Sequence, residues 1–438
     1  MKKDKASDNI GLVRFFQDGR YLERAVQIKN HEGYDNYLDY YVSEKLSPLK
    51  YVKMKAKSLL KHKEDPEKQV TELLEQIDPK DYICVIAPIH IGKKMDGYYK
   101  RVEQADEEIL KGRKKIYLDH TDLGNRDFRI NRIDDEHLEI SYNSFDDAHI
   151  RNIKTIIDTI QKVYIHSVHV LIPDVFNYEM MDVIFNDGNK TVLDLHGAVS
   201  EELKQFDTPD RSKMAEFVEE TVFGMTDRII CMSEAMKTYY VKKYRLDPKK
   251  LSVISIMPFK DGRKNIKKKK HEGINVIYAG GIQKWQNIDL IKESVKKNLD
   301  KYSFRIFTHD CGQLKEDWKD IESDNLLIGS RTNEEICKEY ESCDFGYLLR
   351  DDNIVNNVAC PTKMMEYLTY GIIPILKTDR IGNFREYGLS YVSLKDFNKG
   401  LIPDDQERKK MIAGNSRILK TIMDQTAKGQ KEIDRYLK

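Results

Sequence analysis

The sequence predicts an α/β protein built from two doubly wound parallel sheets and preceded by a helical N-terminal extension. From Tyr82 onward, short apolar β-rich runs alternate with longer amphipathic stretches, which is typical of a parallel sheet covered by helices. The alternation stops at a Lys-rich segment and restarts at Ile274. A length of 438 residues also exceeds one ordinary hydrophobic core, so at least two domains are expected.

The predicted strands fall into two series. The first comprises residues 82–90, 114–121, 137–143, 162–172, 190–197, 227–234 and 251–258. The second comprises residues 274–281, 303–309, 324–330, 344–349 and 371–377. Helical patterns such as "HIRNIKTIIDTIQ" lie between several of the runs, as a doubly wound sheet requires.

These patterns predict five regions. Residues 1–80 lack strand-like runs and are expected to be helical, and residues 81–258 form the first sheet domain. The polar segment 259–273 is the expected interdomain linker, followed by a second sheet domain at 274–404. Residues 405–438 are expected to be helices that could pack back on the first domain.

Bulk composition excludes several classes of protein. The 74 Lys and Arg nearly balance the 73 Asp and Glu, so a dedicated nucleic-acid binder is not expected, and the "KKKK" run at 267–270 is interpreted as a solvated linker. The six cysteines show no metal-ligand or disulfide spacing. Because no stretch has the length of a signal peptide core or a spanning helix, we expect a cytoplasmic protein.

One basic segment indicates a candidate membrane contact. Residues 49–63 carry six lysines and no acid, and a helix there would place an apolar stripe beside a lysine stripe. This pattern is typical of a peripheral interfacial helix at the inner face of a membrane. The alternative is a solvated helix that packs its apolar stripe on the domain.

Two stretches have the residues needed to bind an anion. Gly280 and Gly281 follow a predicted strand, and paired glycines let a backbone approach a phosphate while Lys284 adds charge; a tight turn is the alternative. In "CPTKMMEYLTYGIIPIL", Pro361 at the first helical position would leave helix N–H groups facing an anion. Glu366, about one turn further on, could accept hydrogen bonds from ribose hydroxyls, or could merely complement the helix dipole.

The stretch "CPTKMMEYLTYGIIPIL" resembles the nucleotide-sugar motif of group-1 type GT-B glycosyltransferases. The upstream "YAGGIQKWQNIDL", "VLDLHGAVSEEL" and "TDRIICMSEAMKTYY" resemble further parts of that family. The resemblance covers residues 160–380 well and 80–160 loosely. It implies the GT-B fold, in which two Rossmann-like domains face each other across a cleft.

The resemblance implies roles for individual residues. Glu366 matches the ribose-binding Glu, and Pro361, Thr362 and Lys363 belong to the donor-binding motif, with Thr362 and Lys363 as diphosphate contacts. The remaining assignments are Gly280 and Gly281 beside the phosphates, Ser330 and Arg331 beside the nucleobase, His196 as the active-site His near the transferred sugar, and Lys93, Lys94 and Asp96 on the acceptor side.

Departures from the family pattern concern the phosphate charge. Many members have a Glu eight residues before the ribose Glu, where this chain has Val358, and an Arg and a Lys where it has Gly281 and Gln286. The missing charge is therefore assigned to Lys284, Lys363 and Arg350. Arg350 ends a predicted strand, and its alternative role is a surface salt bridge with a neighbouring aspartate. His196, Lys284 and Arg350 are the candidate catalytic residues.

The function implied is that of a retaining hexosyltransferase that moves a sugar from a UDP- or GDP-sugar to a glycan or lipid-linked acceptor in cell-surface polysaccharide synthesis. Since no Asp-x-Asp pair flanked by strand residues stands out, neither a metal nor any other cofactor is expected. Two alternatives remain. A catalytically degenerate scaffold or partner-stabilising subunit is supported by the missing charges, and a nicotinamide-dependent oxidoreductase is disfavoured because no GxGxxG follows a strand.

Overall fold

The computed structural model describes residues 65–87, 97–119, 128–142, 146–168, 178–206, 209–257 and 268–438. The basic segment 49–63 and the acceptor-side candidates Lys93, Lys94 and Asp96 lie outside the described residues, as does most of the predicted linker. The chain divides into two compact units. Unit 1 contains the described residues up to Cys231, Lys237–Ser252 and Gly429–Lys438, and unit 2 contains Met232–Met236 and Val253–Lys428.

Unit 1 is built on an eight-stranded sheet. Its strands are β1 Tyr82–Ile86, β2 Lys114–Asp119, β3 Arg129–Arg132, β4 His137–Ser141, β5 Lys162–His166, β6 Lys190–Asp194, β7 Arg228–Cys231 and β8 Leu251–Val253. Its helices are α1 Pro66–Gln76, α2 Gly97–Gln104, α3 Asp147–Ile160, α4 Tyr178–Ile184, α5 Val199–Phe206, α6 Pro209–Met225 and α7 Glu234–Tyr244, whose first turn belongs to unit 2.

The strand order of unit 1 is β3-β4-β2-β1-β5-β6-β7-β8. β4, β2, β1, β5, β6 and β7 are parallel, and β3 runs antiparallel to β4 at one edge. The interior strand β1 is buried along its whole length, as expected for a strand covered by helices on both faces. α3 shows how the local sequence sets a helix: Asp146 caps its N-terminus, and Gln161 adopts a left-handed conformation at its end.

Unit 2 is built on a six-stranded sheet. Its strands are β9 Asn275–Ala279, β10 Ser303–Phe307, β11 Leu326–Gly329, β12 Phe345–Leu348, β13 Ile373–Leu376 and β14 Val392–Ser393. Its helices are α8 Ile288–Asn298, α9 Cys311–Asp317, α10 Asn333–Tyr340, α11 Ile354–Asn357, α12 Thr362–Tyr370 and α13 Leu394–Phe397.

The sheet of unit 2 has the order β11-β10-β9-β12-β13-β14, and all of its strand pairs are parallel. Its core packs aromatic side chains of the sheet, including Phe304 and Tyr347, against covering helices, and Phe397 of α13 contacts the Tyr347 ring. The last helix, α14 Asp405–Leu437, begins in unit 2 and ends in unit 1.

The predicted fold class is confirmed, since both units contain a mainly parallel sheet with interspersed helices. Two edge strands, β3 and β14, were not predicted. One local prediction was wrong: Pro361 is the N-cap of α12, in an extended conformation, and the first helical residue is Thr362. All six cysteines lie in the described part of the chain, and none forms a disulfide.

The described residues include no helix that has both the length and the apolar character needed to cross a membrane.

Candidate functional site

The topological switch point of unit 2 lies between β9 and β12. β9 is the first strand of its sheet and is flanked by β10 on one side and β12 on the other, so the chain leaves these strands in opposite directions. A crevice for ligands opens at the carboxyl ends of the strands at such a point. Gly280 and Gly281 follow β9, Arg350 follows β12, and the Asn287 side chain joins the two loops by donating to the Leu349 carbonyl at 2.7 Å.

Gly280 provides the space into which the Lys363 side chain extends. A Cβ at position 280 would lie 2.3 Å from the Lys363 Nζ, so any larger residue would displace the ammonium. The Gly280 amide donates to the Phe307 carbonyl at 2.9 Å, and the Gly281 carbonyl accepts from the Tyr278 hydroxyl. The glycine pair therefore forms a fixed turn whose open side faces Lys363.

Lys363 is held by one hydrogen bond and one aromatic ring. Its Nζ lies 3.1 Å from the Gln286 Oε1 and 4.2 Å from the centre of the Tyr278 ring. Burial lowers the pKa of Lys363 to about 7, and the positive charge of Arg350 acts in the same direction while Glu366 opposes it. The residue as a whole is half-buried, but its amine is inserted between the glycine turn and the ring.

Glu366 is the buried carboxylate of this region. It lies one turn into α12 and is 8% exposed, and its Oε2 accepts a 2.8 Å hydrogen bond from the Tyr340 hydroxyl. The next residue, Tyr367, packs against Gly346 of β12, where an added Cβ would come within 2.5 Å of the ring. The Tyr367 hydroxyl also donates to the Tyr347 carbonyl at 3.1 Å, so Tyr367 fixes the position of α12 on β12.

The other predicted residues of unit 2 surround this centre or lie on separate loops. Thr362 is half-buried at the start of α12, and Lys284 is exposed on the 3-10 turn Lys284–Gln286. The positive charge of Arg350 lowers the pKa of Lys363 and also acts to lower that of Tyr278, so Arg350 lies near both side chains. The aspartates proposed as alternative partners of Arg350 pair elsewhere: Asp351 with Lys377 and Asp352 with Arg380.

Ser330 and Arg331 follow β11, at the carboxyl edge of the same sheet. Ser330 is exposed, and the Arg331 guanidinium donates to the Ser330 carbonyl at 3.0 Å. It also lies 5.1 Å from the centre of the Phe307 ring and 3.8 Å from Glu339. These three contacts hold the arginine at the end of the sheet.

A buried ion pair organises the carboxyl edge of the unit 1 sheet. The Arg101 guanidinium binds both carboxylate oxygens of Asp194, at 2.7 and 2.8 Å, and the Tyr164 hydroxyl donates to Oδ2 at 2.9 Å. Arg101 is 1% exposed and Asp194 is 0% exposed. Burial alone would raise the pKa of Asp194, but the Arg101 charge and the hydrogen bond from His196 hold it well below its usual range.

His196, predicted from the sequence, lies beside a second histidine that was not predicted. The His196 Nε2 lies 3.5 Å from the Asp194 Oδ2 and 3.4 Å from the His166 Nδ1. Complete burial and the neighbouring His196 lower the pKa of His166 to about 3, so His166 is neutral at physiological pH. His196 is 11% exposed at its side chain, and its ring orientation is set by buried neighbours.

His166, Asp194 and His196 are close enough to offer three ligands to a metal, since their ligand atoms lie within 4.8 Å of one another. However, the Arg101 guanidinium already forms a bidentate pair with the only carboxylate of the group. A divalent cation on Asp194 would be repelled by that guanidinium at close range. The donor set therefore fits an ion pair better than a metal centre.

Sequence reasoning missed the partners of the predicted residues. Arg101 and Asp194 are separated by 93 positions, and Tyr340 precedes Glu366 by 26 positions. His166 ends β5, but the predicted strand 162–172 continued past it, so the sequence did not mark it as a strand-end residue. For Arg101, Tyr278 and Tyr340 no local pattern distinguishes a site residue from an ordinary helix or strand residue.

No protein-family model matches the sequence, and no curated protein matches it either. Solved structures do match. Anabaena HepE in complex with UDP-glucose is 12% identical, with a TM-score of 0.56 over 81% of this chain and 99% of that one. A glycosyltransferase from Rickettsia africae is 13% identical, with a TM-score of 0.51 over 81% of this chain and 96% of that one.

A third similar structure is an α,α-trehalose-phosphate synthase (UDP-forming) from Burkholderia xenovorans, in complex with glucose-6-phosphate. It is 11% identical, with a TM-score of 0.51 over 82% of this chain and 100% of that one. In each case the similarity spans nearly the whole of the other chain. The chain therefore has the GT-B fold.

Proposed function

We propose that this protein is a glycosyltransferase that moves a hexose from a UDP- or GDP-sugar to a glycan or lipid-linked acceptor, with retention of anomeric configuration. One observation carries the proposal. A buried carboxylate, Glu366, and an amine, Lys363, lie one turn apart on α12, and the amine reaches the glycine turn at the switch point of the sheet. This arrangement offers acceptors for a ribose and positive charge for a diphosphate.

The chemistry requires stabilisation of the departing nucleoside diphosphate as the glycosidic bond breaks. Arg350 is close enough to Lys363 for its charge to lower the pKa of that amine, and both side chains can supply positive charge. Lys284 is available on the adjacent turn. The first N–H groups of α12 add the positive end of a helix dipole. These groups could stabilise the leaving group without a metal, and we propose a metal-independent reaction.

The nucleotide end of the donor is assigned to the same unit. Glu366 is proposed to bind the ribose hydroxyls, and Ser330 and Arg331 are proposed to border the base. HepE, which has the same fold, was solved in complex with UDP-glucose, and this supports a UDP-sugar as the first donor to test.

The sugar end is assigned to His196. We propose that it holds a hydroxyl of the transferred sugar, with its ring fixed by Asp194 and His166. Retention then follows from attack on the same face of the sugar within a short-lived ion pair, with no protein nucleophile.

The biological role proposed is cell-surface polysaccharide synthesis in the cytoplasm, at the inner face of the membrane. The basic segment 49–63 supports it, because each lysine near an anionic surface contributes about 1 kcal/mol to membrane binding. A second candidate function is a catalytically degenerate scaffold. It is favoured by Val358, which stands where many members of the group-1 type family have an acid, and by Gln286, which stands where many of them have a Lys and which contacts Lys363.

Release of nucleoside diphosphate tests the proposal. The purified chain is incubated with UDP- and GDP-sugars, with and without a chelator, and free UDP or GDP is measured. Release from at least one donor by the wild type, unaffected by the chelator and reduced in Glu366→Ala when the donor is not saturating, is the expected result. Donor binding without any release, in water or with glycan and lipid-linked acceptors, would favour the scaffold.

A further inference from the structure

We propose that Lys363 takes up a proton when the diphosphate of the donor binds, so that nucleotide binding is coupled to protonation of this amine. The inference rests on the proposed function, because it assigns the diphosphate to the space around Lys363. The diphosphate assignment alone does not require any change in the protonation of Lys363. At pH 8 the Lys363 amine would be mostly neutral until its ligand arrives.

The geometry carries the inference. The Lys363 amine lies 4.2 Å from the Tyr278 ring centre, and its hydrogen bond goes to the neutral amide of Gln286. In the described part of the chain, no carboxylate lies within ion-pair distance of this amine. The amine also lies against Gly280, where an added Cβ would come within 2.3 Å of it, so its immediate neighbours are a glycine turn, an amide and a phenol ring with no negative charge.

The charged and titratable groups around the amine come from three elements. Arg350, after β12, disfavours a second positive charge, while Glu366 on α12 favours one but has its Oε2 bonded to Tyr340. Tyr278 on β9 remains a neutral phenol, because burial raises its pKa. The balance lowers the pKa of Lys363 to about 7.

A diphosphate reverses this balance. Its negative charges, placed beside the amine, favour the ammonium form, so the nitrogen lone pair binds one proton taken from the buffer. No other covalent bond forms or breaks. The same anion would also offset the repulsion between Lys363 and Arg350, and the two cations could then share the phosphates.

Calorimetry of the full chain with UDP and with GDP at pH 8 tests the coupling. At this pH the terminal phosphate of the free nucleotide is fully ionised, because its second pKa is about 6. Titrations in buffers of different ionisation enthalpy give the number of protons bound. We expect uptake of most of one proton, since a group of pKa about 7 is mostly neutral at pH 8.

Three variants make the test specific. Lys363→Arg carries a permanent charge and should bind nucleotide with no proton uptake. Lys363→Met should bind more weakly, also without uptake, and covers the case in which arginine does not fit beside Gly280. Lys297→Met removes an exposed lysine of α8, outside the proposed phosphate site, and uptake should persist.

Nucleotide binding without proton uptake by the wild type would overturn the inference and leave the proposed function standing. Uptake that persists in both Lys363 variants would also overturn it, because another group would then be the proton acceptor. If neither UDP nor GDP binds, the donor-site assignment and the inference fall together. A dissociation constant that rises with pH above 7.5 in the wild type but is flat in Lys363→Arg would support the inference independently.

Discussion

The Tyr340 hydroxyl donates a 2.8 Å hydrogen bond to the Oε2 of Glu366 and so ties the end of α10 to the first turns of α12. Both residues are buried. Burial and the nearby Glu366 charge raise the pKa of Tyr340 well above its ordinary value. The phenol therefore remains a hydrogen-bond donor throughout the physiological pH range, and it fixes the carboxylate that we assign to the ribose.

Tyr340→Phe should weaken UDP or GDP binding by about 0.5–1.5 kcal/mol, because Glu366 loses the hydrogen bond that orients it. Calorimetric titration measures the change. Tyr302→Phe is the matched control, since Tyr302 packs against Phe397 in the core of unit 2. Equal losses in the two variants would indicate a general packing effect and would contradict a positioning role for Tyr340.

Glu366→Ala should weaken donor binding by about 1.5–3 kcal/mol, the range for hydrogen bonds to a charged group. Unchanged affinity for both UDP- and GDP-sugars would show that the ribose binds elsewhere. Glu366→Gln keeps an acceptor for the Tyr340 hydroxyl and so serves as the structural control. We expect it to retain the wild-type melting temperature while losing part of the affinity.

Replacing Lys284, Arg350 or Lys363 with alanine should lower turnover in each single variant, because the three cations are assigned to the leaving diphosphate. The triple variant should lose the most. Release of UDP or GDP under saturating donor measures the effect, with Lys377→Ala as the control because Lys377 pairs with Asp351. Wild-type turnover in the triple variant would mean that the phosphate site is misplaced.

Arg101→Met should destabilise unit 1 by about 3–5 kcal/mol, because it leaves the buried charge of Asp194 without its partner. Urea denaturation measures the loss. The double variant Arg101→Met with Asp194→Asn should recover part of it, since the asparagine is neutral and still accepts from Tyr164. If the stability loss of the double variant equals the sum of the losses of Arg101→Met and Asp194→Asn measured singly, the two residues do not form a coupled pair.

The same pair has a defined pH dependence. The pKa of the Asp194 carboxyl in the folded protein lies below the unfolded value of about 3.9. The contribution of the ion pair to stability is therefore complete above that pH and is lost as the pH falls further. In Arg101→Met, burial without the guanidinium should raise the folded-state pKa of Asp194, so the stability difference between wild type and this variant should begin to shrink above about pH 4 and keep shrinking as the pH falls further.

Membrane docking through residues 49–63 stays a prediction from the sequence. The wild type should float with anionic vesicles at low salt and less at high salt. Flotation should be lost when Glu replaces Lys50, Lys53, Lys57 and Lys61. The control with the same change in charge replaces four exposed lysines of α14, namely Lys409, Lys410, Lys420 and Lys428. Equal flotation of the two variants, or none by the wild type, would contradict docking by this segment.

The sequence identified the sheets because their inner strands are continuous apolar runs. β1 and β12 are buried at every position, and such runs are visible without any knowledge of their neighbours. β3 was missed because three of its four residues are polar and it is largely exposed at a sheet edge, and β14 because it has only two residues. The edge strands depend on the pairing partner, which a local pattern does not contain.

The candidate site was predictable only in part for a related reason. Gly280, Lys363 and Glu366 could be selected because each follows a strand or begins a helix. The contacts that define their chemistry come from distant positions, as with Tyr340, or reverse a simple expectation. The Gly280 amide, expected beside a phosphate, donates to the Phe307 carbonyl, and burial lowers the pKa of Lys363, to which phosphate charge was assigned, to about 7.

The end of α14 has a consequence for how the chain is made. Its last turns complete unit 1: Asp434 pairs with Arg113, Glu432 accepts from Ser252, and Gln430 donates to Glu108. On the ribosome these residues emerge after all of unit 2, so the first unit to be synthesised is the last to be finished. A nascent chain arrested after Lys428 would contain every residue of unit 2 and would still leave unit 1 without its closing helix turns, exposed to chaperones and proteases.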